Sequence, residues 1–94
     1  MSKSKDIPLD QILKALGEPI RLSVIKQLMT TKEHEKACGT FDYKVNKATF
    51  SHHIKILVET GILNERAEGT RKYLSINPSI EKAYPEIFKL ILKS

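Results

Sequence analysis

Cysteine occurs once, at Cys38, in a chain of 94 residues. One thiol excludes an intrachain disulfide. The lysine-bearing N-terminus has no apolar core to make a signal peptide, so the expected compartment is the reducing cytoplasm. Uninterrupted apolar runs reach only two or three residues, and none is expected to span a membrane. The parts of an enzyme are absent as well. There is no phosphate-binding glycine loop, no nucleophile elbow and no pair of carboxylates on a shared face. Ser51 and His52 are adjacent in sequence, whereas a catalytic base must be placed across space from its nucleophile. No internal repeat and no low-complexity tract is present. The expectation is a protein that is not an enzyme and needs no cofactor.

What is present is a small basic domain. Hydrophobic residues make up 40% and charged residues 29%, with a formal net charge of +5 and a pI near 9.4. That balance is ordinary for a globular chain and suits a polyanionic partner. A single domain over residues 1–94 is expected, with residues 1–5 disordered. A chain this short buries only roughly 60–65% of its unfolded surface, so a second subunit would help it.

The most informative stretch runs from Asn46 to Gly61. Asn46 is a good helix N-cap, and Gly61 can take the left-handed conformation that ends a helix. Phe50, Ile54, Leu57 and Val58 follow i, i+4, i+7, i+8 spacing and share one face. Ala48, Thr49, His52 and Lys55 fall on the opposite face, which is small, polar and cationic near the helix start. Such a face can approach a DNA groove and hydrogen-bond base edges. Next come two runs of strand type, Ile62 to Ala67 and Thr70 to Ile76, with Glu68-Gly69 as the turn between them. A helix followed at once by a hairpin with a basic flank (Arg66, Arg71, Lys72) is the plan of a winged helix-turn-helix, an α+β, mostly helical fold with a two-stranded wing.

The remaining elements surround this unit. Asp6 and Pro8 open a first helix carrying Leu9, Ile12, Leu13 and Leu16, closed by Gly17. Pro19 starts a second, with Ile20, Val24, Ile25, Leu28 and Met29 as its apolar stripe. Arg21 points away from that stripe, toward a phosphate or, more plainly, a local partner. Residues 31–45 contain Gly39 and two aromatics without helical period. The segment that should position the recognition helix is either a short helix over Thr40 to Tyr43 or an extended piece. After Asn77-Pro78-Ser79, the positions Ile80, Ala83, Tyr84, Ile87, Phe88 and Ile91 form a last stripe. Pro85 interrupts it, as a kink or as the start of a second helix. Leu90 and Leu92 add apolar surface elsewhere. Residues 78–94 are therefore expected to pack on a second subunit, the plainer alternative being that they cap their own core.

Three strings resemble the ArsR-type winged-helix transcriptional repressors. Residues Leu13 to Ile25 (LKALGEPIRLSVI) look like the family's "KAL-x-[DE]-P-x-R-L-x-I-L" opening. Lys47 to Leu63 (KATFSHHIKILVETGIL) looks like its "S-T-x-S-x-H-L-x-x-L-x-x-A-G-L" recognition segment, and Glu68 to Leu74 looks like its wing. The resemblance covers roughly residues 9 to 76 and implies a dimeric repressor on a two-fold symmetric, palindromic operator. It matches Thr49, Ser51 and His52 to DNA-contacting positions of the recognition helix, and Gly69, Arg71 and Lys72 to the wing tip. It also implies a dimer through the first and last helices. The expected interface uses Leu9, Ile12 and Leu13 with Tyr84, Ile87, Phe88 and Ile91. The family's familiar metal sites, a Cys-x-Cys pair or Asp and His on the last helix, have no counterpart here, so no metal is expected.

The complete DNA-binding expectation is Lys44, Lys47, Ala48, Thr49, Ser51, His52, Lys55, Gly69, Arg71 and Lys72. From Lys44 to Lys72 the chain carries six Lys/Arg against three acids, a local +3. This favours duplex DNA over the rival reading, a winged helix that docks a protein. A second rival is a repressor answering metal or redox at an unfamiliar site near Cys38, with His34, Glu33 and Glu35 beside it, although such a run is more often a solvated face. His52 and His53 diverge by about 100° in a helix. His52 is expected to face outward and His53 to be half-buried and hydrogen-bonded. Histidine changes charge between about pH 5 and 8, so DNA affinity is expected to rise on acidification. Tyr43 and Tyr73 are candidates for phosphate contact or for packing. Ile56 is expected to lie under the hairpin or the 38–45 segment.

Overall fold

The computed structural model describes residues 7–94. The disorder expected for residues 1–5, and the role of Asp6 in opening the first helix, lie outside the described residues. The elements in order are α1 (Leu9–Leu16), α2 (Pro19–Met29), β1 (Glu35–Ala37), a 3-10 turn (Cys38–Thr40), α3 (Lys47–Thr60), β2 (Leu63–Glu68), β3 (Arg71–Ile76), α4 (Pro78–Ala83) and α5 (Pro85–Lys93). The fold is a winged helix-turn-helix, mostly helical, with a small antiparallel sheet.

Local chemistry sets the boundaries. The Asn46 side chain accepts from the Thr49 N–H at 2.8 Å, satisfying one orphan donor at the start of α3. Gly61 ends α3 at φ +92, and a Cβ there would meet Ile7 Cδ1 at 2.8 Å. Glycine is thus required twice, by the backbone angle and by the approach of Ile7. Pro19 stands in the first turn of α2, where the Glu18 carboxylate accepts from the Ile20 N–H at 2.7 Å. Pro85 likewise opens α5, so the C-terminal stripe is two consecutive helices and not one kinked helix.

The wing differs from the expected hairpin. The sheet has three strands in the order β1-β3-β2, with β3 central, where two were expected. Residues Glu35 to Ala37 pair antiparallel with Tyr73 to Ser75. Glu68 pairs with Arg71, which moves the loop from Glu68-Gly69 to Gly69-Thr70. Gly69 supplies a positive φ of 63 at the first loop position, as a tight hairpin needs.

No α-helix forms over Thr40 to Tyr43. The Cys38–Thr40 turn leads into an irregular strap, extended at Phe41 and bent at Lys44 and Val45, that reaches Asn46. Gln27 of α2 holds this strap at both backbone groups of Asp42. Its Nε2 donates to the Asp42 carbonyl at 2.8 Å, and the Asp42 N–H donates to its Oε1 at 2.9 Å. Phe41 is buried against Phe50, and the Tyr43 ring stacks on Phe50 with centroids 3.8 Å apart. Two aromatic anchors and one amide do the work of a positioning helix.

One cluster of buried side chains joins all the helices to the sheet, with Ile12, Val24, Ile25, Leu28, Leu57, Ile62, Leu74 and Ile80 fully enclosed. Three residues expected at a subunit interface belong to this core. Ile12, Phe88 and Ile91 are 0%, 2% and 6% exposed, because α1 and α5 turn them inward. Leu9 and Leu13 are exposed, and Tyr84 and Ile87 are half-buried. Leu90 at 71% and Leu92 at 47% are the bare apolar positions of α5. Ile56 also departs from expectation. It lines a surface depression with Gln11 and Ala15 of α1.

Candidate nucleic-acid interface

The outer side of α3 is uncommitted. Lys47, Ala48, Thr49, Ser51, His52 and Lys55 are all exposed, as is Lys44 on the strap just before the helix. Phe50, Ile54 and Leu57 on the inner side are buried, so the helix cannot rotate its polar face away from solvent without losing the core. The first turn of α3 adds the partial positive charge of its N–H groups to Lys44 and Lys47. Lys55 meets Glu59 at 4.0 Å, an exposed i,i+4 pair of little strength. Ala48, Thr49, His52 and Lys55, which the helical spacing puts opposite the apolar face, are thus exposed together with Lys47 and Ser51.

The wing brings the second group. Gly69, Arg71 and Lys72 are exposed at its tip. Two clefts lie between wing and helix. One, of about 410 Å³, is bordered by Ser51 and Lys55 of α3 and by Lys72. The other, of about 510 Å³, is bordered by Lys47, Arg71 and Lys72. Lys72 and the half-buried Cys38 line both. Among the described residues, Lys44, Lys47, Arg71 and Lys72 make no ion pair.

Arg66, counted with the basic flank of the wing, is occupied elsewhere. Its guanidinium donates to both carboxylate oxygens of Glu35, at 3.0 and 2.9 Å. It also covers the Tyr73 ring at 4.6 Å from the centroid and approaches Glu68 at 3.6 Å. The hydrogen bond from Arg66 lowers the Glu35 pKa, and the same bond raises that of Arg66. Arg66 therefore ties β2 to β1 across β3 and leaves Arg71 and Lys72 as the wing's available cations. Glu35 is likewise unavailable to a site at Cys38. Among the described residues no cluster of three or more His, Cys, Asp and Glu side chains is placed to hold a metal ion.

His53 is half-buried and hydrogen-bonded, as its position beside the apolar face predicted, with Arg21 Nη1 3.1 Å from its Nδ1. Arg21 thus has a local partner. Tyr43 packs on Phe50 and Tyr73 on Arg66, so both tyrosines serve the scaffold. Gln27 and Tyr43, which hold the strap carrying Lys44, had no sequence signal beyond the presence of an aromatic.

A capped helix with a polar, cationic outer side, flanked by a three-stranded wing with basic residues at its tip, defines a winged helix-turn-helix regulator. None of the known protein-family profiles matches the chain. It is 35% identical over 86 residues to the uncharacterized HTH-type transcriptional regulator YceK of Bacillus subtilis, covering 89% of this chain and 85% of that protein. It is 35% identical over 82 residues to the uncharacterized HTH-type transcriptional regulator MJ1325 of Methanocaldococcus jannaschii, covering 86% and 88%. The crystal structure of a possible transcriptional regulator for arsenical resistance superposes with a TM-score of 0.65 at 19% identity, over 93% of this chain and 98% of that one. The chain belongs to the HTH-type transcriptional regulators. Among the described residues no helix is long and apolar enough to cross a membrane.

Proposed function

We propose that the protein is an ArsR-type repressor that binds a palindromic duplex operator as a homodimer. The observation that carries this reading is the open side of α3, where Thr49, Ser51 and His52 stand exposed beside Lys44 and Lys47, which make no ion pair among the described residues. In this reading α3 enters the major groove, and Ala48, Thr49, Ser51 and His52 meet base edges or adjacent phosphates. Lys44, Lys47, Lys55, Arg71 and Lys72 neutralise the backbone, with Gly69 letting the wing tip approach it.

Two features support pairing of subunits. The longest dimension of the chain is 31 Å, just under one turn of duplex DNA, about 34 Å. In this reading two subunits side by side set their recognition helices in successive major grooves. The bare leucines Leu9, Leu13, Leu90 and Leu92, with the half-buried Tyr84 and Ile87, supply apolar surface for the second copy.

The test is selection from a library of genomic duplexes at near-physiological salt, followed by sequencing of what is retained. A palindromic consensus is expected. Uniform weak retention that disappears with added salt would reduce the interaction to electrostatics and overturn the reading.

A further inference from the structure

Behind the open side of α3 a single arginine joins three elements. Arg21 Nε donates to the Ala15 carbonyl, one of the last carbonyls of α1, which have no partner within the helix. Arg21 Nη1 lies 3.1 Å from His53 Nδ1, in the middle of α3. Arginine has only donors, so Nδ1 is the acceptor in this contact. The ring Nε2 faces Glu18 Oε1 at 3.9 Å, and the same carboxylate oxygen caps α2 through the Ile20 N–H. The His53 side chain is 13% exposed, so water competes weakly for these partners. Among the described residues the charged or titratable groups brought to the ring are Arg21 from α2, Glu18 from the α1–α2 connection and His52 beside it on α3, with ring centroids 6.3 Å apart.

We propose that Arg21 is a positioning residue for DNA reading, which fixes the pitch of α3 against α1 by holding the His53 ring. This rests on the reading of α3 as the DNA-contacting helix. The guanidinium is a rigid plane, so its bonds to Ala15 and His53 cannot be adjusted independently. A tilt of α3 that moved Thr49 and Ser51 would break the bond at Nδ1. Lysine has the charge but not the fork, and cannot hold both partners in one plane.

The experiment uses the whole chain, folded as judged by its amide spectrum, in wild-type, Arg21→Ala, Arg21→Lys and His53→Gln forms. Amide spectra of the wild type set the reference positions of the α3 residues. His53→Gln keeps an acceptor for Arg21 without the proton. It should retain the wild-type α3 amide positions. Arg21→Lys should show displaced α3 amides, even where Arg21→Ala fails to fold. Against a duplex retained in the selection, Arg21→Lys should bind about tenfold more weakly, as for loss of one charge-assisted hydrogen bond. Its salt slope should equal that of wild type. Unmoved α3 amides in Arg21→Lys, or displaced α3 amides in His53→Gln, would overturn the proposal. A shallower salt slope in Arg21→Ala, which removes the charge, would also overturn it by making Arg21 a phosphate contact. If no duplex is retained the functional reading fails, while the spectra still decide whether Arg21 positions α3.

Discussion

The two sides of α3 differ in kind, and His52 and His53 show it most clearly. They are consecutive in sequence, yet His52 is exposed and His53 is held by Arg21. The inner side, with Phe50, Ile54 and Leu57, is built from apolar contacts that belong to the core. The outer side has polar and cationic groups that make few contacts with the rest of the chain. The wing repeats the division. Arg66 is engaged by Glu35, Glu68 and the Tyr73 ring, while Arg71 and Lys72 at the tip make no ion pair among the described residues. A side chain that the fold does not use is available to a ligand. The chemical type of a residue says little about which case applies, since Arg66 and Arg71 belong to one hairpin.

Substitutions on the two sides should therefore separate stability from binding. The largest loss of stability is expected for Leu57→Ala on the inner side, where a fully buried side chain leaves a cavity, costing about 2–5 kcal/mol in urea unfolding. Gly61→Ala should follow, at about 1–2 kcal/mol, because alanine is strained at φ +92 and Ile7 must also move. On the outer side, Thr49→Ala and His52→Gln should change stability by no more than about 0.5 kcal/mol while altering preference among selected duplexes. Equal weakening by His52→Gln on every sequence would assign it to phosphate and not to bases.

The smallest effect concerns the Glu35–Arg66 pair. Glu35 has its pKa lowered by the Arg66 hydrogen bond, so its contribution is present above the ordinary carboxylate range and is lost as the pH falls through the lowered value. Arg66 is exposed and Glu35 partly so, which keeps the contribution slight. The stability gap between wild type and Glu35→Gln should be present at neutral pH and close in acid. A gap that does not vary with pH would show that Arg66 acts through Tyr73 alone.

Much of α3 was legible because its signals are local. Asn46, Gly61 and the spacing of Phe50, Ile54 and Leu57 each act within a few residues of the feature they determine. The same is true of Pro19 and Pro85, each of which opens a helix. What could not be read depends on partners distant in the chain. Strand β1 is three residues long with no alternation of its own, and exists because Tyr73 to Ser75 offer it an edge. The strap at Asp42 is fixed by Gln27, 15 residues earlier. Arg66 is diverted by Glu35, 31 residues earlier. The stripes of α1 and α5 showed that those helices bury apolar faces. They did not show that Ile12, Phe88 and Ile91 face the chain's own core, because periodicity marks a buried face and not what covers it.

The most direct test of this division is the salt dependence of duplex binding by Arg71→Ala/Lys72→Ala beside wild type. Two lost phosphate contacts should reduce the slope of log K against log salt by about two, weaken binding on all sequences alike, and leave the urea unfolding curve in place. An unchanged slope would remove the wing tip from the interface and contradict the account.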